Sequence, residues 1–334
     1  MIGTLAVTAA SVGRIRRLVV SRVRALQARY DAPTIGRLSG LRTQLGDLQA
    51  QLGQVQAQLV DLEAQLAEMG THLGDVPTAV DAIRHVQAAQ VQVSRAAYDD
   101  LGTLRDKLVA VRASPGYAAV FEHSEPIISV PIATYNAAEL LVERAVASVL
   151  AQSYTRWEMV VVGDGCTDDT AARIEALGDP RIRFVNLPFR TIYPDGERER
   201  WMVSGAAPWN RAVELCRGAW IAPLDDDDEF LPHHMETLLA LALDRRAEFV
   251  YGKLEAVGHS QPFYFSFPPV FGGVGMQASL YLRALDFFEC DVRSWVIDEP
   301  TDWNVVRRMR DAGVLMAATE ETVARYYPSY MKWR

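Results

Sequence analysis

The chain has 334 residues, of which 49% are hydrophobic and 23% charged, close to ordinary globular usage. That composition excludes wholesale disorder, a collagen-like repeat and a polytopic membrane protein, and the length corresponds to two folding units or one large domain with an appendage. A formal net charge of −8 argues against a protein that binds nucleic acid over its whole surface.

The first segment, residues 1–30, opens on an apolar run with no positive stretch before it, a poor match to a signal peptide. It continues as a basic amphipathic helix in which Arg14, Arg16, Arg17, Arg22, Arg24 and Arg29 surround Ile15, Leu18, Val19, Val23 and Leu26. Such a helix suits either peripheral contact with an anionic membrane surface or a docking role. No run reaches the roughly 18 to 20 apolar residues needed to span a bilayer. Cys166, Cys216 and Cys290 are odd in number and far apart, with no CxxC pair or clustered histidines. Reduced thiols and a cytoplasmic location follow, with peripheral contact at the inner face of the membrane as the role open to the basic helix.

Residues 31–114 hold one heptad frame. With Leu38 as position a, the a series runs through Leu45, Leu52, Leu59, Leu66, Leu73 and Val80 to Leu101 and Leu108, and the d series from Leu41 through Leu48, Val55, Leu62, Met69, Val76 and Ile83 to Leu104 and Val111. Apolar a and d positions over so many heptads predict a coiled-coil stalk and a homo-oligomer. Gly74 and Pro77 mark a break at residues 74–77, where the helix either turns back as a hairpin or continues as a rod.

Beyond Pro115 and Gly116, strands alternate with helices through residues 115–334. Strands are expected at Ile127 to Pro131, Trp157 to Val162, Ile182 to Asn186 and Trp220 to Leu224, and helices at Glu139 to Gln152, Asp168 to Leu177 and Ala206 to Cys216. This alternation predicts an α/β domain with a mainly parallel sheet and helices on both faces, where ligands bind beyond the carboxyl ends of the strands. The polar strand ends are Thr134, Tyr135 and Asn136, then Gly163, Asp164 and Gly165, then Asp225, Asp226, Asp227 and Asp228. Neighbouring carboxylates 4 Å apart repel by about 1 kcal/mol in water and about 4 kcal/mol at an effective dielectric of 20. A hard divalent cation, Mn2+ or Mg2+, would relieve that repulsion and leave coordination sites for a diphosphate. The segment from Pro188 to Gly205 is long for a connection and suits a lid over a bound ligand.

The stretches IISVPIATYN, VVVGDGCTDDT and GAWIAPLDDDDEFLP resemble the three opening motifs of the family 2 glycosyltransferases, over about Ile127 to Arg310. The resemblance implies a GT-A fold, of the nucleotide-diphospho-sugar transferase type, and inverting transfer from a nucleoside diphosphate sugar. By similarity Thr134 and Tyr135 line the base pocket, Asp164 bonds the nucleobase, Asp226 faces the ribose, and Asp225 and Asp227 form the DxD metal pair. Gly163 stands where the family usually has a first Asp. In IDEPTDWNVVRRM, Asp302 matches the family's base motif, with Glu299 as reserve. Because lysine is nearly absent, Arg200 or Arg211 is expected to assist the phosphates. The donor is expected to be a UDP-sugar first, and the acceptor a glycan, a lipid-linked saccharide or a protein. A nucleotidyltransferase would share this architecture but needs a glycine-rich loop that Pro131 to Asn136 lacks, and an inactive scaffold would have no use for Asp302 beside an intact DxD pair.

Overall fold

The computed structural model describes residues 98–260 and 263–328, with scattered positions between 50 and 61. The chain divides into two units, Met1–Ala88 and Ala89–Arg334. In the first, Ala50, Gln51, Gln54, Ala57, Gln58, Val60 and Asp61 are helical and exposed. In the heptad frame these are all b, c, f or g positions, which point away from a seam. The a and d seam of that stretch, the break at 74–77 and the basic helix of residues 1–30 lie outside the described residues.

The second unit is a mixed α/β domain. Its strands among the described residues are β1 (Ile128–Thr134), β2 (Trp157–Gly163), β3 (Ile182–Asn186), β4 (Trp220–Ile221), β5 (Glu229–Phe230), β6 (Phe249–Ala256), β7 (Phe263–Tyr264), β8 (Ser279–Leu282) and β9 (Met316–Tyr326). They form one sheet in the order β3-β2-β1-β4-β8-β6-β9-β5, with β7 on β6. Strands β1 to β4 pair in parallel, as the alternation predicts. Ile128, Val130, Ile132, Met159, Val160, Val161 and Val162 are all 0% exposed, because parallel strands covered on both faces become continuous apolar runs.

The other half of the sheet departs from the mainly parallel expectation. β8 runs antiparallel to both β4 and β6, β5 is antiparallel to β9, and only β6 and β9 pair in parallel. A parallel neighbour requires a crossover of a dozen or more residues, usually helical. Between β7 and β8 the described chain offers only the 3-10 turn Met276–Ala278, whereas β9 follows the helix Thr301–Ala312.

The domain also begins earlier than residue 115. The helix Leu101–Arg112, capped by the Asp100 carboxylate on the Thr103 N–H, buries Leu104 and Leu108 in the core of this domain. These are a and d positions of the heptad frame, so this last stretch of the stripe is covered by the chain's own domain. A 3-4 apolar spacing specifies a buried face but not what buries it.

Two ionic clusters fasten this segment. Arg112 makes paired 2.7 Å bonds to Glu248, which also accepts from the Tyr117 hydroxyl and the Leu315 N–H. Burial pushes the Glu248 carboxyl up, but those hydrogen bonds more than offset it and hold the group below its ordinary range. Arg307, 3% exposed, bridges Asp99 at 2.5 Å and Glu299 at 2.8 Å, each of these 1% exposed. Removing one member of a buried ion cluster leaves uncompensated charge. Arg307→Ala is therefore expected to lower unfolding free energy by about 3–5 kcal/mol, read as a shift in the urea midpoint.

His234 makes a second stability prediction. It is fully buried at the start of the helix His234–Arg245, stacked 3.7 Å from Phe230, with Nδ1 3.1 Å from the Val323 carbonyl oxygen. Burial pushes its pKa down from 6.5 to about 3, against the opposing Val323 hydrogen bond. Between those values the unfolded chain binds a proton that the folded chain refuses, so stability falls as pH drops below 6.5. From pH about 7.5 to about 5.5 this contributes a loss of about 1.3 kcal/mol, which a His234→Gln variant should not show in denaturant midpoints at the two pH values.

Candidate active site

The site forms at the carboxyl ends of β1 and β2 and in the turn that follows β4. Thr134, the last residue of β1, is buried and donates its hydroxyl to Asp226 at 2.6 Å, while its carbonyl accepts the Asp164 N–H at 2.8 Å. The ends of β1 and β2 and the acidic turn are thus joined through one threonine. Asp164 is 3% exposed and accepts from the Thr191 N–H at 2.9 Å, the Thr191 hydroxyl at 2.5 Å and the Tyr193 hydroxyl at 2.6 Å. A carboxylate has about four acceptor sites, so one direction remains for a ligand N–H. Burial, reinforced by Asp164, raises the Tyr193 phenol well above its usual range and keeps it a donor.

Tyr135 is half-buried, with the Arg190 guanidinium 3.7 Å above its ring. Arg190, Thr191 and Tyr193 therefore cover Tyr135 and Asp164, two of the three residues that the resemblance assigns to the base. Their approach depends on Gly165, which has φ +71° and whose Cβ, if present, would lie 2.4 Å from the Arg190 nitrogen. At Gly163 a Cβ would meet Asn186 Oδ1 at 2.5 Å. Asn186 pairs with the Cys166 backbone N–H and carbonyl, filling the space an aspartate side chain would need.

In the acidic turn Asp225 is exposed, Asp226 and Asp227 are half-buried and Asp228 is buried. Asp228 accepts from Gln277 at 2.8 Å and from the Tyr327 N–H at 2.9 Å. Its carboxyl is pushed up to about 7, first by burial and then by Asp227, with both hydrogen bonds opposing. Asp225 keeps an exposed surface yet is densely surrounded. Desolvation, then Asp228, Asp227, Asp226 and Asp302, push it well above the ordinary carboxylate range.

Asp302 sits in the first turn of the helix Thr301–Ala312, exposed, with one oxygen accepting the Trp303 N–H at 2.7 Å. Desolvation raises its pKa against that bond. Asp302, far away in sequence, is the smallest of the influences that raise Asp225. Glu299 lies elsewhere: it is buried and bonded to Asn304 and Arg307, which makes it a structural anchor rather than a reserve base. Arg211 is also away from this constellation, paired with Glu214 on the exposed side of its helix. Arg200 donates to the Pro194 and Asp195 carbonyls and braces the long segment. Sequence reasoning missed Thr191, Tyr193 and Arg190, which carry no motif, and Arg144, whose Nη1 donates to the Asp227 carbonyl oxygen.

No group of three or more His, Cys, Asp or Glu side chains forms a ready cation cage among the described residues. The donor chemistry nevertheless fits a hard cation. Mg2+ commonly binds through one or two carboxylates plus substrate phosphates, and Asp225 and Asp227 supply hard oxygens in a turn whose carboxyls repel one another.

Residues 129–287, just under half of the chain, match the family model described as Glycosyl transferase family 2. The putative colanic acid biosynthesis glycosyl transferase WcaA of Escherichia coli (strain K12) is 35% identical over 120 residues, covering 35% of this chain and 38% of its own. The succinoglycan biosynthesis protein ExoO of Rhizobium meliloti (strain 1021) is 34% identical over 132 residues, covering 40% and 34%. The E. coli UDP-Glc:alpha-D-GlcNAc-diphosphoundecaprenol beta-1,3-glucosyltransferase WfgD is 26% identical over 134 residues, covering 40% and 48%. The chain spans less than half the length of each of these relatives.

Proposed function

We propose that the protein is a metal-dependent inverting glycosyltransferase that moves a sugar from a nucleoside diphosphate sugar, a UDP-sugar first, to an acceptor hydroxyl. The observation that carries this reading is the join at Thr134, whose hydroxyl donates to Asp226 and whose carbonyl accepts the Asp164 N–H, gathering the motif residues of two strand ends and the acidic turn. Tyr135 and Asp164 take the nucleobase, and Asp226, oriented by Thr134, takes the ribose. Asp225 and Asp227 would hold Mn2+ or Mg2+, which would supply positive charge for the departing diphosphate. Asp302 accepts the proton of the acceptor hydroxyl as that oxygen bonds to the anomeric carbon. The bond from the anomeric carbon to the diphosphate oxygen breaks on the opposite face, so configuration inverts without a covalent intermediate.

The relatives' names support a bacterial glycan pathway, and the name of WfgD supports a UDP-sugar donor with a lipid-linked saccharide acceptor. No helix among the described residues is long and apolar enough to cross a membrane. The heptad segment of residues 31–114 associates copies of the chain through the part of its stripe outside the domain core, and the basic helix serves either as a tether at the inner face of the membrane or as a docking segment. Light scattering of the full chain tests the first point: a monomer contradicts it.

The reaction itself is tested with UDP-glucose, UDP-N-acetylglucosamine, UDP-galactose and GDP-mannose, each with Mn2+ and then with EDTA. Cleavage of at least one donor, lost on chelation, is expected. Release of pyrophosphate from a nucleoside triphosphate with no sugar-nucleotide turnover would favour a nucleotidyltransferase instead.

A further inference from the structure

The segment after the DxD pair is suspended from one side of one helix. That helix runs as Ala138–Leu140, a π-helical stretch Leu141–Val146, and Ala147–Leu150. Three polar residues spaced by four carry the contacts. Arg144, inside the π stretch, donates to the Asp227 carbonyl, Ser148 Oγ accepts the Phe230 N–H at 3.1 Å, and the Gln152 amide at the helix end donates to the Leu231 carbonyl at 2.7 Å. π-helical turns inside α-helices are rare and are frequent at functional sites.

Arg144 has a second partner. Its guanidinium lies 3.9 Å from the centre of the Tyr327 ring, and the Tyr327 N–H donates to Asp228 at 2.9 Å. The Tyr327 hydroxyl reaches Glu229 at 3.0 Å. One arginine therefore ties the main chain of Asp227 to the segment that follows β9, on the far side of the same acidic turn. A guanidinium suits both contacts, because its planar face stacks on an aromatic ring while its edge donates.

The geometry assigns Arg144 as a positioning residue for the diphosphate and cation site: it fixes the Asp227 backbone, and so the direction of its carboxylate, and locks Tyr327 against the turn. The assignment rests on the reading of Asp225 and Asp227 as cation ligands. Partners that orient the ligands of a metal typically change metal affinity or activity by about 10–100-fold when removed. Arg144 would act in this way without touching substrate.

The test uses the full chain as wild type, Arg144→Met and Arg144→Lys, with calorimetric binding of UDP plus Mn2+, binding of uridine without metal, and hydrogen exchange of the backbone amides. Arg144→Met is expected to weaken UDP–Mn2+ binding by about 10–100-fold while leaving uridine binding unchanged. It should also speed exchange at residues 227–231 and at Tyr327, with the amides of β1 and β2 still protected. Arg144→Lys, which keeps the charge and one donor, should recover part of each effect. Unchanged UDP–Mn2+ affinity in Arg144→Met, or an equal loss for uridine, overturns the assignment. If Mn2+ gives the wild type no gain in UDP affinity, the metal reading fails; the exchange measurement then still decides the positioning role, and unchanged exchange at residues 227–231 overturns it.

Discussion

An Asp227→Ala chain is expected to lose about two to three orders of magnitude in Mn2+-dependent turnover of its sugar nucleotide. The reasoning is electrostatic. Neutralising a leaving diphosphate is worth several kcal/mol, and each 1.36 kcal/mol is a factor of ten in rate. Asp227 adds repulsion to both Asp225 and Asp228, so its removal should leave the melting temperature unchanged or raised. A large loss of activity with retained stability separates this role from a folding role. Loss of both together would mark Asp227 as structural.

Asp302→Asn should lower the rate of sugar transfer by about 10²–10⁴, the usual contribution of a general base, while leaving affinity for UDP and Mn2+ intact. Asn keeps an oxygen for the Trp303 N–H, so the first turn of the helix is preserved. The pH profile carries a second sign. Asp302 must be ionised to accept a proton, and its pKa is raised. Wild-type activity should therefore fall with acid at a higher pH than an ordinary carboxylate would impose, and the variant should lack that limb. A variant that transfers sugar at the wild-type rate would remove Asp302 from the mechanism.

The catalytic half of the sheet was legible because its physics is local. Fully buried parallel strands read as unbroken apolar runs, and Ile128–Thr134 and Trp157–Gly163 lie within a few residues of expectation. The charged ends of those strands then located the site. The second half was less legible because β5 and β7 have two residues each, too few for any periodicity to register. The heptad pattern runs through Leu101, Leu104 and Leu108, where the covering surface is the domain's own core, since spacing does not record the identity of a partner. Thr191 and Tyr193 reach Asp164 through a loop whose path is a tertiary property. Arg211 was chosen for its charge and its neighbourhood in the chain, but its helix presents it to Glu214 and solvent. Arg144, Ser148 and Gln152 did leave a trace, as polar residues spaced by four along a helix with Leu141, Ala145 and Val149 in the core.

The most direct test of inverting, metal-dependent transfer needs no knowledge of the acceptor. Proton NMR of the sugar first released from an α-linked UDP-sugar with Mn2+, recorded before mutarotation, reports the face from which the oxygen attacked. Initial appearance of the β anomer, absent with EDTA and from Asp227→Ala, is the result expected here. Initial appearance of the α anomer, or release that persists without divalent metal, would contradict it.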